Sequence, residues 1–352
     1  LLTLYGFIRS ATSPTSRRWA AVSVGACLLG ALTKEVIVTA PILVLIYDRV
    51  FLSGSLLVGL RRRAGLYAGY AAAWACLAWL MATSDFEARG VGFAQVVSSQ
   101  AYGLAEMRAV VRYAALALWP HPLVFDYGAE FIHAPPTETV CAALLVLAGI
   151  AATIYAWRKS AALGFAAGAF FLILAPTSSI VPIALQPMAE NRMYLPLAAV
   201  TVLLVMAVHA AVGSRRACAL GIGAVLGLAA LTILRNEDYR SAEKIWTDTV
   251  AKRRGSSRAH NNLGLALQRA PGRNADAMAH FQFALRLKPD FSEAKNNLGI
   301  ALADAPGRLA EAIAQFEAAL RAKPAFANAH TNLANALLRL PDRLPAAIAH
   351  YR

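Results

Sequence analysis

The residues of this chain that can do chemistry are cations set beside carboxylates. They are Lys34 and Glu35, Asp85, Glu87 and Arg89, Arg112, His121, Asp126, Glu130, His133, and the run Glu190, Asn191 and Arg192. Nothing among them has the spacing of a serine nucleophile elbow, a zinc helix, a phosphate loop or a dinucleotide fingerprint. A cluster of Lys, Arg and His at a lipid–water boundary suits an anionic leaving group such as a lipid-linked phosphate. A carboxylate beside it can activate a hydroxyl as general base. Each has a plainer reading. Lys34 and Glu35 can pair with each other, Glu190 and Arg192 can cap the following helix, Asp126 can close a turn, and His121 can be structural between two prolines.

Composition sets the frame for that chemistry. The 352 residues are 58% hydrophobic and only 15% charged, with a mean hydropathy of +0.50. Soluble domains carry about 25% charged residues, so at least part of this chain is integral to a membrane. The net charge of +14 lies largely in short loops between apolar blocks. That is the signature of membrane topology rather than of nucleic-acid binding. Cys27, Cys76, Cys141 and Cys218 lie in or beside apolar blocks with no metal or disulfide spacing, so no metal is expected at them. Leu1 lacks an initiator Met and Arg352 falls inside a helical pattern, so both ends read as cut from a longer protein.

The elements that must position the polar residues follow from the apolar blocks. Residues 19–52 form one long apolar run, uncharged over 20–32 and 36–47 on either side of Lys34 and Glu35. A charge pair in mid-bilayer is costly, so residues 19–32 and 36–52 are read as two spans meeting at a membrane face. Further spans are expected at 64–81, 140–157, 161–175, 193–212 and 217–234, about seven in all, each roughly long enough for a bilayer. Residues 101–119, with Glu106, Arg108 and Arg112, read as an amphipathic helix ended by Trp119-Pro120-His121-Pro122. With two spans before it, the cluster Arg61, Arg62 and Arg63 joins Arg9, Arg17 and Arg18, Arg158 and Lys159, and Arg215 and Arg216 on one side. The chemistry-bearing residues and everything after residue 234 then fall on the opposite, extracytoplasmic side.

Beyond Arg235 the chain becomes polar and repetitive. Three segments beginning at Ala259, Ala294 and Ala329 align without gaps at an offset of 35 (297 − 262 and 332 − 297). Each is followed by a turn, Pro271-Gly272-Arg273, Pro306-Gly307-Arg308 or Pro341-Asp342-Arg343, and then by a second helix with Phe281 or Phe316 at its centre. A helix–turn–helix unit of about 34 residues is the tetratricopeptide repeat. The expected organisation is an all-α chain. Residues 1–234 form a polytopic membrane bundle. Residues 235–352 form a repeat solenoid, with a half-repeat cap at 236–254, repeats from about 257, 292 and 327, and the last repeat truncated. Such arrays bind partners on a concave face. There Asn261, Asn262, Asn296, Asn297 and Asn332 can offer amides to a peptide backbone, or serve as caps and inter-repeat bonds.

Three segments carry a family resemblance. They are LLGALTKEVIVTAPILVLIYDRVF (28–51), YAALALWPHPLVFDYG (113–128) and APTSSIVPIALQPMAENRMYLPLAAV (175–200), followed by the repeats. Together they resemble the transmembrane and tetratricopeptide-repeat-containing protein O-mannosyltransferases and their bacterial relatives, among the C-type glycosyltransferases. The resemblance implies transfer of a sugar, mannose being one candidate, from a polyprenyl-phosphate donor to Ser/Thr of extracytoplasmic proteins. It implies no cofactor beyond an optional divalent cation. It also implies an acidic catalytic residue preceding residue 1, so the catalytic position is not assigned in this sequence. Lys34, Glu35, Glu190 and Arg192 match its motifs, with Arg112, His121 and Asp126 as further candidates for contact with lipid phosphate or substrate. The implied partners are the bilayer, the lipid-linked sugar and an acceptor polypeptide, with no nucleic acid. The Ala- and Arg-rich, Lys-poor composition suggests a bacterial inner membrane, with the repeats in the periplasm. The alternative is a non-catalytic membrane scaffold whose repeats recruit partners.

Overall fold

The computed structural model describes residues 1–33, 35–83, 99–128, 135–178 and 188–351. Among these residues all regular secondary structure is helical, without strands. It divides into two compact units. The first comprises Leu1–Leu123 and Phe131–Ala224, the second Val124–Glu130 and Val225–Arg352.

The first unit begins with the helical pair α1 (Leu2–Thr12) and α2 (Ser16–Ala31). Small residues let these helices close: a side chain at Gly6 would meet Ser23 at 3.1 Å. Close backbone approach through small residues is how helices associate in lipid, where apolar burial alone gives no drive. The apolar run 19–52 is not one helix. It breaks after Ala31, resumes as a single turn at Glu35–Val38, continues as α3 (Thr39–Tyr47) and widens into a π-helical turn at Asp48–Ser53. Then follow α4 (Leu56–Arg62), α5 (Ala64–Thr83), α6 (Ser99–Leu118), α7 (Pro136–Lys159) and α8 (Ala161–Ser178). Pro136 occupies the first turn of α7, where its missing N–H costs nothing. The α7–α8 hairpin is tight: a side chain at Gly164 would lie 2.5 Å from the Trp157 Cα.

The π-turn holds a polar cluster. Asp48 is 1% exposed. Its carboxylate accepts hydrogen bonds from Ser53 Oγ (2.6 Å), Arg63 Nη1 (2.7 Å) and Tyr67 Oη (2.8 Å). Gly59 packs directly on this carboxylate, and a Cβ there would meet Asp48 Oδ2 at 2.8 Å. A buried carboxylate is tolerable because its lone pairs are met and its charge is paired. The clasp fixes α3, the π-turn, α4 and the start of α5 to one another.

Four helical segments among the described residues are long and apolar enough to cross a membrane: Val36–Ser53, Ala64–Thr83, Pro136–Lys159 and Pro196–Arg240, with a shorter apolar stretch at Ala161–Ala175. The two spans expected at 193–212 and 217–234 are one element, α9 (Pro196–Asn236), broken only at Gly213, whose φ is +77°. At 1.5 Å per residue its 41 residues reach about 60 Å, twice the hydrocarbon thickness of about 30 Å. The left-handed glycine divides it into two lengths that each suit one crossing.

The second unit is the repeat array: α10 (Ala242–Lys252), α11 (Ser257–Gln268), α12 (Asn274–Leu287), α13 (Ser292–Ala303), α14 (Leu309–Ala322), α15 (Ala327–Leu337) and α16 (Leu344–Tyr351). Trp246 of α10 stands 35 residues before Phe281 (281 − 246), so α10 carries the pattern of a second helix. Within a repeat the glycine of the first helix receives the phenylalanine of the second. A Cβ at Gly264 would lie 2.6 Å from Phe281, and one at Gly299 the same distance from Phe316. The inter-helix turns place Gly272 and Gly307 at φ +75° and +76°, and Asp342 at the aligned position takes φ +61°. Asp is one of the few residues with a side chain short and polar enough to visit that region.

Candidate functional site

In the first unit, a cavity of about 810 Å³ is walled by α1, the end of α2, α3, α8 and the start of α9. Most of the wall is aliphatic or aromatic, including Leu43, Tyr47, Phe51 and Phe165. Thr33, Asn191 and Arg192 contribute to its polar part, together with the hydroxyl-bearing Thr3, Thr39 and Tyr194. Tyr47, Phe51 and Phe165 pack edge-on or tilted at centroid distances of 4.7–5.7 Å, which fixes one side of the cavity.

Arg192 sits on the single turn Glu190–Met193, just ahead of α9. The turn is tethered by Tyr113 of α6. The Tyr113 hydroxyl donates to the Ala189 carbonyl at 2.9 Å and accepts from the Ala189 N–H at 3.0 Å. Arg192 Nη1 lies 3.4 Å from Glu106 Oε1, with side-chain exposures of 9% and 1%. Burial disfavours the cation, but Tyr113, Glu106 and Tyr102 outweigh this and hold its pKa above the ordinary value. The result is a fixed positive charge on the wall of an otherwise apolar cavity.

The sequence-derived candidates distribute as follows. Arg192 and Glu190 share the turn beside the cavity, with Glu106 supplying the carboxylate that meets Arg192. Glu35 opens the turn Glu35–Val38, and Thr33 and Val36 on either side of that position line the cavity. Lys34, Asp85, Glu87, Arg89, Glu130 and His133 lie outside the described residues. Arg112 donates from Nη2 to the Pro122 carbonyl at 3.1 Å and so braces the turn after α6; His121 is exposed there, preceding a cis Pro122. Asp126 belongs to the second unit. It is 6% exposed, accepts from the Gly128 N–H at 2.7 Å and pairs with Arg258. Its carboxylate therefore anchors a segment against the first repeats instead of facing the cavity. Phe125 beside it packs edge-on against Trp246 at 5.2 Å. Tyr113 and Tyr102 had no sequence signal beyond their place on α6.

The five asparagines form a single relay. Asn332 Nδ2 donates to Asn296 Oδ1 at 2.9 Å, Asn296 to Asn297 at 3.4 Å, Asn297 to Asn261 at 2.9 Å, and Asn261 to Asn262 at 3.2 Å. Asn261 and Asn296 are buried at 4% and 5% and serve the inter-repeat stack. Asn262, Asn297 and Asn332 are half-buried, and each amide keeps bonding capacity beyond the relay.

Two histidine pairs clasp the helices within a repeat. His260 and His280 face each other at Nδ1···Nδ1 3.0 Å, as do His330 and His350. His260 Nε2 meets the Arg254 carbonyl at 3.1 Å, and His330 Nε2 the Pro324 carbonyl at 2.9 Å. A carbonyl only accepts, so Nε2 carries the hydrogen, and in the neutral ring the facing Nδ1 is then the acceptor. Among the described residues no group of three or more His, Cys, Asp or Glu side chains is placed to hold a metal ion.

Compared with known families, residues 228–289, 267–324 and 305–352 match the tetratricopeptide repeat. No curated protein matches the chain. The second unit is thus an array of tetratricopeptide repeats, and arrays of this kind present a concave face to peptides and proteins. The match covers the repeats and leaves the apolar unit without an assigned family.

Proposed function

We propose that the chain acts in a membrane glycosyltransferase that moves a sugar from a polyprenyl-phosphate donor to Ser/Thr side chains of a polypeptide held by the repeats. The observation that carries this reading is the Arg192 wall. A cavity of about 810 Å³ lined by aliphatic and aromatic groups suits an isoprenoid or acyl chain. One buried guanidinium at its polar part suits the phosphate. Glu106 and Tyr113 act as positioning residues for Arg192, and Lys34 would add a second cation. The extended amide relay supports a role in gripping acceptor backbone. In this reading the repeats and the cavity's polar part face the extracytoplasmic side.

A second reading, a non-catalytic membrane-anchored scaffold, draws on one observation: the described residues lining the cavity include no Asp or Glu. One experiment separates the two. The full-length protein, with any residues that precede Leu1, is supplied with a polyprenyl-phosphate sugar and a Ser/Thr peptide, and both transfer and peptide binding are measured. Loss of a charged hydrogen bond costs about 1.5–3 kcal/mol, so Arg192→Ala should lower transfer roughly 10- to 100-fold while peptide binding persists. Peptide binding without transfer by the wild type supports the scaffold. Undiminished transfer by Arg192→Ala sinks the assigned role.

A further inference from the structure

The basic hairpins of the first unit share one end. Arg63 lies over the Phe7 ring of α1 at 5.6 Å, which brings the α1–α2 hairpin beside the π-turn. Phe51 of the π-turn packs edge-on against Phe165 near the start of α8 at 5.6 Å, which brings Arg158 and Lys159 to the same end. Among the described residues the one carboxylate of this end, Asp48, is sequestered by Ser53, Arg63 and Tyr67. Arg49, Arg61 and Arg62 are exposed, and none has an acidic partner among the described residues. This end therefore carries uncompensated positive charge.

Helix α4 lies within it, between the candidate spans Val36–Ser53 and Ala64–Thr83. Gly59 alone is buried, pressed on Asp48, while Leu57 is 67% and Val58 53% exposed. Exposed leucine and valine beside unpaired arginines are unfavourable in water and favourable at a lipid interface. There the apolar groups reach acyl chains and the guanidiniums reach phosphates. The Asp48–Arg63 clasp holds the helix in place from both ends.

We infer that α4 is an in-plane interfacial helix and that Arg49, Arg61 and Arg62 bind the headgroups of anionic phospholipids. The inference rests on the apolar helices crossing a bilayer and is independent of the sugar-transfer reading. The full chain is purified in mixed micelles of phosphatidylglycerol and phosphatidylcholine, and bound lipid is counted by native mass spectrometry. Wild type retains phosphatidylglycerol in preference. A basic residue near an anionic surface contributes about fivefold, so Arg61→Gln with Arg62→Gln lowers the preference roughly 25-fold. The clasp is untouched in that variant. Arg61→Lys with Arg62→Lys keeps most of the preference, because charge is retained. Equal retention of the two lipids by wild type overturns the proposal, as does an unchanged preference in the Gln variant. Displacement of the lipid by millimolar glycerol phosphate overturns it too, since the site would then be a free-phosphate site. Association of the protein with pure phosphatidylcholine vesicles tests the bilayer assumption on its own.

Discussion

Substituting Gly264 by Ala sets two known effects against each other at one position. In an exposed helix the change stabilises by about 1 kcal/mol, because alanine restricts the unfolded chain and favours helix. Here the new Cβ would meet Phe281 Cε1, Cδ1 and Cζ at 2.6, 2.8 and 3.0 Å. Phe281 is 0% exposed, so its ring has no room to swing away. Overpacking a closed core costs about 1–3 kcal/mol, and the net expectation is a loss of about 1 kcal/mol. The third repeat already carries this substitution: Ala334 stands where Gly264 and Gly299 do. Hydrogen exchange of the α11 and α12 amides in the full chain reads the effect locally. A loss of about 1 kcal/mol speeds exchange roughly fivefold. Adding Phe281→Leu should return part of that loss, giving a coupling between the two positions. Slower exchange in Gly264→Ala, or strict additivity in the double variant, would refute the reasoning.

Two further outcomes follow from the polar clusters. Asp48→Asn leaves Arg63 without its charge partner, and breaking a buried pair costs about 3–5 kcal/mol. Its thermal midpoint in detergent should fall clearly, and the double variant with Arg63→Gln should fall by less than the sum of the singles. Burial leaves His260 and His280 with depressed pKa values; the Arg254 carbonyl at His260 and Asp276 at His280 oppose the effect, while Arg286 and Arg273 reinforce it. Below the unfolded histidine pKa of about 6.5 the unfolded chain gains protons that the folded array resists. Stability of the repeats should therefore fall as pH falls through that region. A thermal midpoint unchanged between about pH 7.5 and 5.5 would show that the clasp does not control stability.

Much of this architecture is legible in the chain because it is periodic or local. The offset of 35 announces the repeats, and the charge pair at Lys34 and Glu35 announces the break in the apolar run. What the sequence could not convey are contacts between side chains far apart in it. Arg192 meets Glu106 across 86 residues, and Asp126 meets Arg258 across 132. Asp126 reads locally as a candidate for substrate contact, but its partner is fixed only when the α6–α7 connection reaches the repeats. The asparagines were visible as a pattern. Their sharing among themselves depends on the superhelical step, which brings residues 36 apart into contact. Asp48 carries no local signal, because nothing in its neighbours says that Tyr67 will close over it.

The asparagine relay has a direction. Both inter-repeat bonds donate toward the lower-numbered repeat, and the relay runs one way, from Asn332 by way of Asn296, Asn297 and Asn261 to Asn262. Turning one amide over would set two oxygens or two NH₂ groups against each other at each junction. The five are therefore coupled and reverse together or stay as they are. The groove consequently has a polarity, donor-rich at the Asn262 end and acceptor-rich at the Asn332 end. A strand lying along it meets different partners according to the direction in which it is threaded.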